Sequence, residues 1–119
     1  VILADTSVWI THFRQSDRRL VTRLNRGDVV MHPFVLGELA MGNVASRQVI
    51  LATLGHLPAT ATDEEVLAFI AGQRLFGQGI GYIDAHLLAA VKLAPVTRLW
   101  TFDKRLDAAA AWLNLDWRG

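Results

Sequence analysis

The run Val1-Ile2-Leu3-Ala4 is apolar without a break and then stops at Asp5-Thr6-Ser7. A strand with no polar side has to be covered on both faces, which is the environment of a parallel sheet, and the cap-type residues after it start a helix. The same pattern recurs twice. Asp28 to His32 is a second short strand, and Pro33 then fits the first turn of a helix that reaches Gly42. Val96 to Phe102 is a strand that ends at Asp103, before an alanine-rich helix from Lys104 to Leu113. Between these, Ser16-Asp17 caps a helix that runs to Arg26 and stops at Gly27. Ser46 begins a helix ending near Gly55, and Leu57 to Thr60 is a candidate third strand. Thr62-Asp63-Glu64-Glu65 reads as a capping box, and Tyr82 to Lys92 as a further helix. The glycine-rich stretch Gly77 to Gly81 has neither a preceding strand nor a following Lys-Ser/Thr, so it reads as a helix-to-helix turn. Short strands alternating with helices predict an α/β fold with a mainly parallel central sheet. With 119 residues, one domain spanning 1–119 is expected.

Composition removes several function classes. There is no cysteine, so disulfide frameworks, thiolate nucleophiles and cysteine-based zinc sites are excluded. No apolar run approaches the roughly 20 residues that cross a bilayer, and the opening lacks a basic leader, so no membrane association and a cytoplasmic location are expected. The hydrophobic fraction is 52% against 19% charged residues, which predicts apolar surface covered by a partner. Net charge is only +1, yet five of the twelve basic residues are Arg14, Arg18, Arg19, Arg23 and Arg26. Arg19, Arg23 and Arg26 recur at helical spacing and form a candidate stripe for a nucleic-acid backbone, or a solvated helix face.

Four of the eleven acids stand apart because each is embedded in apolar sequence: Asp5 in ILADTSVW, Glu38 in FVLGELAM, Asp84 in GYIDAHLL and Asp103 in LWTFDKRL. Glu38 shares a helical face with Phe34, Val35 and Met41, and Asp84 with Leu87, Leu88 and Val91, so both are expected to turn inward with the core stripe. Carboxylates aimed inward are costly unless paired, protonated or bound to metal. Few cations lie nearby in sequence, and oxygen-only donors suit Mg²⁺ or Mn²⁺. Asp5 and Asp103 also serve as helix caps, a role compatible with metal binding. Thr6, Ser7 and Thr101 are candidate hydroxyls supporting the carboxylates. The four histidines have no short metal-ligand spacing and are read as non-ligands, with His86 on a helix surface. The four tryptophans are read as core or interface residues.

The segments ILADTSVWI with Asp5, HPFVLGELAMG with Glu38, GYIDAHLLAAV with Asp84, and LWTFDKRL with Thr101 and Asp103, in that order, resemble the PIN-domain nucleases, and most closely the VapC-like toxins of bacterial toxin–antitoxin pairs. The similarity covers the whole chain. It implies a three-layer α/β/α sandwich, Mg²⁺- or Mn²⁺-dependent endoribonuclease activity in which metal-activated water hydrolyses the RNA phosphodiester, a homodimer, and inhibition by a VapB-like antitoxin. In that reading Asp5, Glu38, Asp84 and Asp103 are catalytic as metal ligands. Two other readings of the acids are a phosphoacceptor receiver domain and a non-catalytic binding module. No acid neighbours Asp5 as a receiver site requires, and metal titration separates the module. Another nucleic acid as substrate also stays open, because no base-reading motif is present.

Overall fold

A computed structural model describes residues 1–42, 55–57 and 59–119, with only the backbone of Gly55 and His56. Its sheet has four parallel strands, β1 (Ile2–Ala4), β2 (Val29–Met31), β3 (Gly55–His56) and β4 (Arg98–Trp100), in the order β3-β2-β1-β4. The described helices are α1 (Thr6–Arg14), α2 (Arg18–Asn25), α3 (Pro33–Met41), α4 (Asp63–Gln73), α5 (Tyr82–Leu93) and α6 (Lys104–Trp112). The unbroken apolar run of β1 does what its composition demands. Ile2, Leu3 and Ala4 are all buried, and because consecutive side chains point to opposite faces, both faces of the sheet are covered. The fold is thus an α/β sandwich with the sheet as its middle layer.

β1 lies between β2 and β4, with Leu3 in register with Val30 on one side and Leu99 on the other. The chain therefore moves away from β1 in one direction to make β2 and β3, and returns on its other side to make β4. The crevice at such a reversal, beyond the carboxyl ends of the strands, is where ligands bind in open α/β sheets. Asp5 directly follows β1, and Asp103 follows β4 after Thr101 and Phe102. On the outer edge of β4 the C-terminal segment adds a parallel bridge, with Leu99 N–H donating to Leu115 O and Trp117 N–H to Leu99 O.

The local signals that set the helix ends operate as read. Asp17 caps α2 through the N–H groups of Arg19 and Leu20, and Gly27 follows the helix at φ +71°. Thr62 and Glu65 exchange the two bonds of a capping box at α4. Gly77 to Gly81 joins α4 to α5, and a Cβ on Gly79 would sit 2.6 Å from the Arg105 guanidinium, so α6 packs close against this turn. Two expectations are corrected. The third strand is Gly55–His56, with Leu57 N–H donating to Met31 O, and not Leu57 to Thr60. Pro58 has no N–H with which to continue a ladder. The helix expected from Ser46 lies outside the described residues.

The second correction concerns α3. Its buried side is Val35 and Leu39, whereas Phe34 and Met41, at 39% and 90% exposure, share the outer side with Glu38. A nine-residue helix this rich in apolar residues carries two candidate stripes, and sequence periodicity did not choose between them. α5 is different, because every residue from Ala85 to Val91 is buried. This helix runs through the core and packs on α4 and β4. Leu88→Ala in α5 or Leu99→Ala in β4 should cost about 2–5 kcal/mol of unfolding free energy in urea titrations, whereas Met41→Ser should stay within about 0.5 kcal/mol.

Candidate functional site

Asp5 is buried at the end of β1, and its backbone N–H donates to Trp100 O across the sheet at 3.0 Å. Its carboxylate is held by two hydroxyls. Ser7 Oγ donates to Oδ1 at 2.5 Å, and Thr101 Oγ1 donates to Oδ2 at 2.5 Å. Each hydroxyl also accepts a backbone N–H from the segment beyond β4. Phe102 N–H donates to Ser7 Oγ and Asp103 N–H donates to Thr101 Oγ1, both at 3.0 Å. A hydroxyl can donate once and accept twice, so both groups use their donor on the carboxylate and an acceptor on the loop. The result locks the start of α1 to the start of α6. Val8 N–H completes the Asp5 shell and makes Asp5 the N-cap of α1. Thr6 opens α1 half-buried, and its hydroxyl takes no part in this network.

Asp103 is exposed and caps α6, with Oδ1 accepting from Leu106 N–H at 2.9 Å. Asp84 occupies the first turn of α5, half-buried, and its Oδ2 accepts from Gly81 N–H at 3.2 Å. That bond ties the acid to the end of the glycine-rich turn. Desolvation by burial is the main force raising the Asp84 pKa above its ordinary 3.8, and the negative charges of Asp103 and Asp5 push it further in the same direction. Asp84 is thus the acid on which the charges of the other two act, opposed by the Gly81 N–H bond. Desolvation likewise raises Asp5, against the lowering effect of the Ser7 and Thr101 hydroxyls and the Val8 and Ser7 N–H groups. No salt bridge among the described residues reaches Asp5, Asp84, Asp103 or Glu38.

Glu38 is on the exposed side of α3, a helix that packs on α1. No hydrogen bond or ion pair among the described residues joins it to the three aspartates. The inward-facing argument therefore fails for Glu38, although it holds in part for Asp84. Among the described residues no three His, Asp or Glu side chains are arranged to hold a metal ion by themselves. The donor chemistry nevertheless fits a hard divalent cation, which is typically held by one or two carboxylates, with water and phosphate oxygens supplying the rest. Asp5, Asp84 and Asp103 offer carboxylate oxygens of that kind, none of them in a salt bridge among the described residues.

A second polar cluster gathers around His86, and the sequence did not reveal it. His86, expected on a helix surface, is buried, with Nε2 at 2.9 Å from Asp63 Oδ1. Tyr82 OH donates to the same oxygen at 2.8 Å, and Phe34 meets the imidazole edge-on at 4.7 Å. His32 Nδ1 accepts from Phe34 N–H and caps α3, while burial and then the nearby His86 lower its pKa to about 4. Asp63 looked like an ordinary helix-start acid, and only the packing of α4 on α5 brings it to His86. The side chain of His56 lies outside the described residues. Trp9 and Trp100 are core residues as expected, whereas Trp112 is 61% exposed.

The sign of the Asp84 shift has a measurable consequence. A carboxyl whose folded pKa lies above the unfolded one favours folding fully below about 3.8, and that contribution is lost as pH rises through the folded value. Without metal, Asp84→Asn should therefore raise the urea midpoint at about pH 7.5 and leave it unchanged at about pH 3. A midpoint gain of equal size at both pH values would contradict the electrostatic account.

Comparison with known proteins agrees with this geometry. A family model described as the PIN domain matches residues 2–111, a span that begins in β1 and ends in α6. Ribonuclease VapC32 of Mycobacterium tuberculosis, from strain CDC 1551 / Oshkosh and from strain ATCC 25618 / H37Rv, is in each case 47% identical over 113 residues, covering 93% of this chain and 91% of its own length. With acids at the carboxyl ends of neighbouring parallel strands and a match over nearly the full length, the chain belongs to the PIN-domain family.

Proposed function

We propose that the chain is a metal-dependent endoribonuclease, a phosphodiester hydrolase, formed as a single PIN-like unit over residues 1–119. The observation that carries this reading is that Asp5 at the end of β1 and Asp103 beyond the adjacent β4 both act electrostatically on Asp84 in the first turn of α5, with no salt-bridge partner for any of the three among the described residues. The name of the M. tuberculosis relatives supports RNA as the substrate class.

In this reading Asp5, Asp84 and Asp103 hold Mg²⁺ or Mn²⁺ directly or through water, and Glu38 contributes from α3. The cation supplies a more acidic water and neutralises charge that develops on the phosphate. The chain's own residues fix the acids in place. Ser7 and Thr101 hold one Asp5 oxygen each and so set the orientation of that carboxylate. Gly81 N–H holds one oxygen of Asp84, and Leu106 N–H one oxygen of Asp103, so each keeps its other oxygen for the crevice. Hydrolysis by water needs no nucleophilic side chain, and the products carry 5′-phosphate and 3′-hydroxyl ends.

The VapC name further supports a toxin–antitoxin role with a VapB-like antitoxin as partner. The apolar surface available for a partner is large: Met41, Phe76, Val96 and Trp112 are each more than half exposed. A homodimer would cover part of it. No described helix is long and apolar enough to cross a membrane. One observation favours a non-catalytic module instead, namely that no three described side chains form a ready-made metal site. Calorimetric Mn²⁺ titration separates the two, because a module would bind none.

Asp5→Asn and Asp84→Asn should abolish cleavage of total RNA with the far-ultraviolet circular dichroism unchanged, and EDTA should do the same to the wild type. Thr101→Val should cost about 10–100-fold in activity or metal affinity by releasing the Asp5 carboxylate. Full activity in EDTA would remove the metal from the reading.

A further inference from the structure

Beside the acid crevice is a groove of about 310 Å³ whose walls are unlike each other. One wall is the α2 face carrying Arg19, Thr22 and Arg23, continued by Arg26 at the helix C-cap, and the other is Trp117 with Gly119. Resting on the nuclease reading above, we infer that this groove is a binding track for single-stranded RNA, along which the strand leaves the cleavage crevice, with the arginines on its phosphates and Trp117 as a stacking platform.

Charge comes first. Residues 14–28 hold five arginines against two aspartates. Asp17 pairs with Arg19 at 3.4 Å and Asp28 with Arg23 at 3.2 Å, while Arg26 has no counter-ion among the described residues. The excess is therefore positive even after the local pairs are counted.

Stacking comes second. The Arg19 guanidinium lies 4.9 Å from the Trp100 ring centroid and 5.9 Å from that of Phe102, and Arg23 lies 5.5 Å from Trp117. A guanidinium that rests on a ring by its face keeps its N–H donors around its rim. Each of these two arginines bonds a single carboxylate oxygen, through one nitrogen. The remaining donors are available to phosphate. Trp117 is only half-buried and is buttressed by the core residue Trp100 at 4.6 Å, which makes it a rigid aromatic surface for a base.

Continuity with the crevice comes third. Phe102, beneath Arg19, gives its N–H to Ser7 Oγ and immediately precedes Asp103. A strand whose phosphate sits among the three aspartates thus meets Arg19 next and then the groove. Cationic walls with an aromatic platform suit a nucleic-acid strand better than an acidic protein segment, which has no use for the ring.

The test is fluorescence anisotropy of a fluorescein-labelled mixed-sequence RNA of about 15 nucleotides, bound by the full chain in EDTA across a series of KCl concentrations. Arg26→Glu should weaken binding several-fold and flatten the log–log salt slope by about 0.7 per lost phosphate contact. The pair Arg19→Lys and Arg23→Lys keeps the charge and should keep the slope. Trp117→Ala should weaken binding about fivefold or more without changing the slope, and Trp117→Phe should recover most of it. Thermal melts confirm folding, and Arg26, exposed and with no counter-ion among the described residues, gives a variant that does not disturb the core. Wild-type affinity and slope in folded Arg26→Glu and Trp117→Ala overturn the track. So does loss of binding to a polyglutamate peptide with RNA binding intact, since that makes the groove a protein-docking surface. Cleavage in Mn²⁺ is read separately. Tight, variant-sensitive binding with no cleavage would leave the track standing and remove the nuclease reading, and cleavage with an unaltered slope would do the reverse.

Discussion

Two hydroxyls on one carboxylate hold the functional end of this protein together. Ser7 and Thr101 are 94 residues apart, yet they close on the two oxygens of Asp5 and each takes a backbone N–H from the loop that carries Asp103. A buried carboxylate with no cation is costly, and these bonds offset part of that cost while fixing where the charge sits. The position of Asp103 depends on the same contacts. Hydroxyl and amide donors hold the negative charge in place without neutralising it, whereas a lysine or arginine would neutralise it.

The sheet order makes this possible. Because β1 lies between β2 and β4, the chain reverses direction about it, and the ends of β1 and β4 face one crevice. α5 then brings Asp84 to the same place. It can do so because its body is buried on all sides from Ala85 to Val91, so its first turn has little freedom to move. The Gly81 N–H on the Asp84 carboxylate links that helix to the turn from α4, where Gly79 lets Arg105 approach closely. Around this frame the surface carries exposed apolar side chains such as Met41 and Val96 and a groove lined by arginines and Trp117.

Much of the fold was legible in the sequence because its signals are local. An apolar run must be covered, Asp17 and Thr62 cap the helices that begin just after them, and Gly27 ends a helix whatever the rest of the chain does. The parallel sheet and the strand ends at Asp5 and Asp103 came from such rules. Site legibility was uneven. Asp5 and Asp103 could be seen as strand-end acids, and Ser7 and Thr101 as their nearby hydroxyls. Glu38 was given the wrong face, because α3 offers two apolar stripes and only its packing, against α1 among others, decides which is buried.

The sequence by itself determined which residues could form strands, which could start and stop helices, and that four acids stood in apolar surroundings with few cations nearby. Tertiary structure alone decided which of those acids act on which, since the effect of Asp5 and Asp103 on Asp84 depends on strand order and helix packing and not on spacing along the chain. It alone moved His86 from a helix surface to a buried bond with Asp63, and set Trp117 opposite Arg23. The physical reason is common to all of these. Propensity and periodicity act over a few residues, whereas electrostatic coupling and ring contacts act between elements that only the packed sheet brings together.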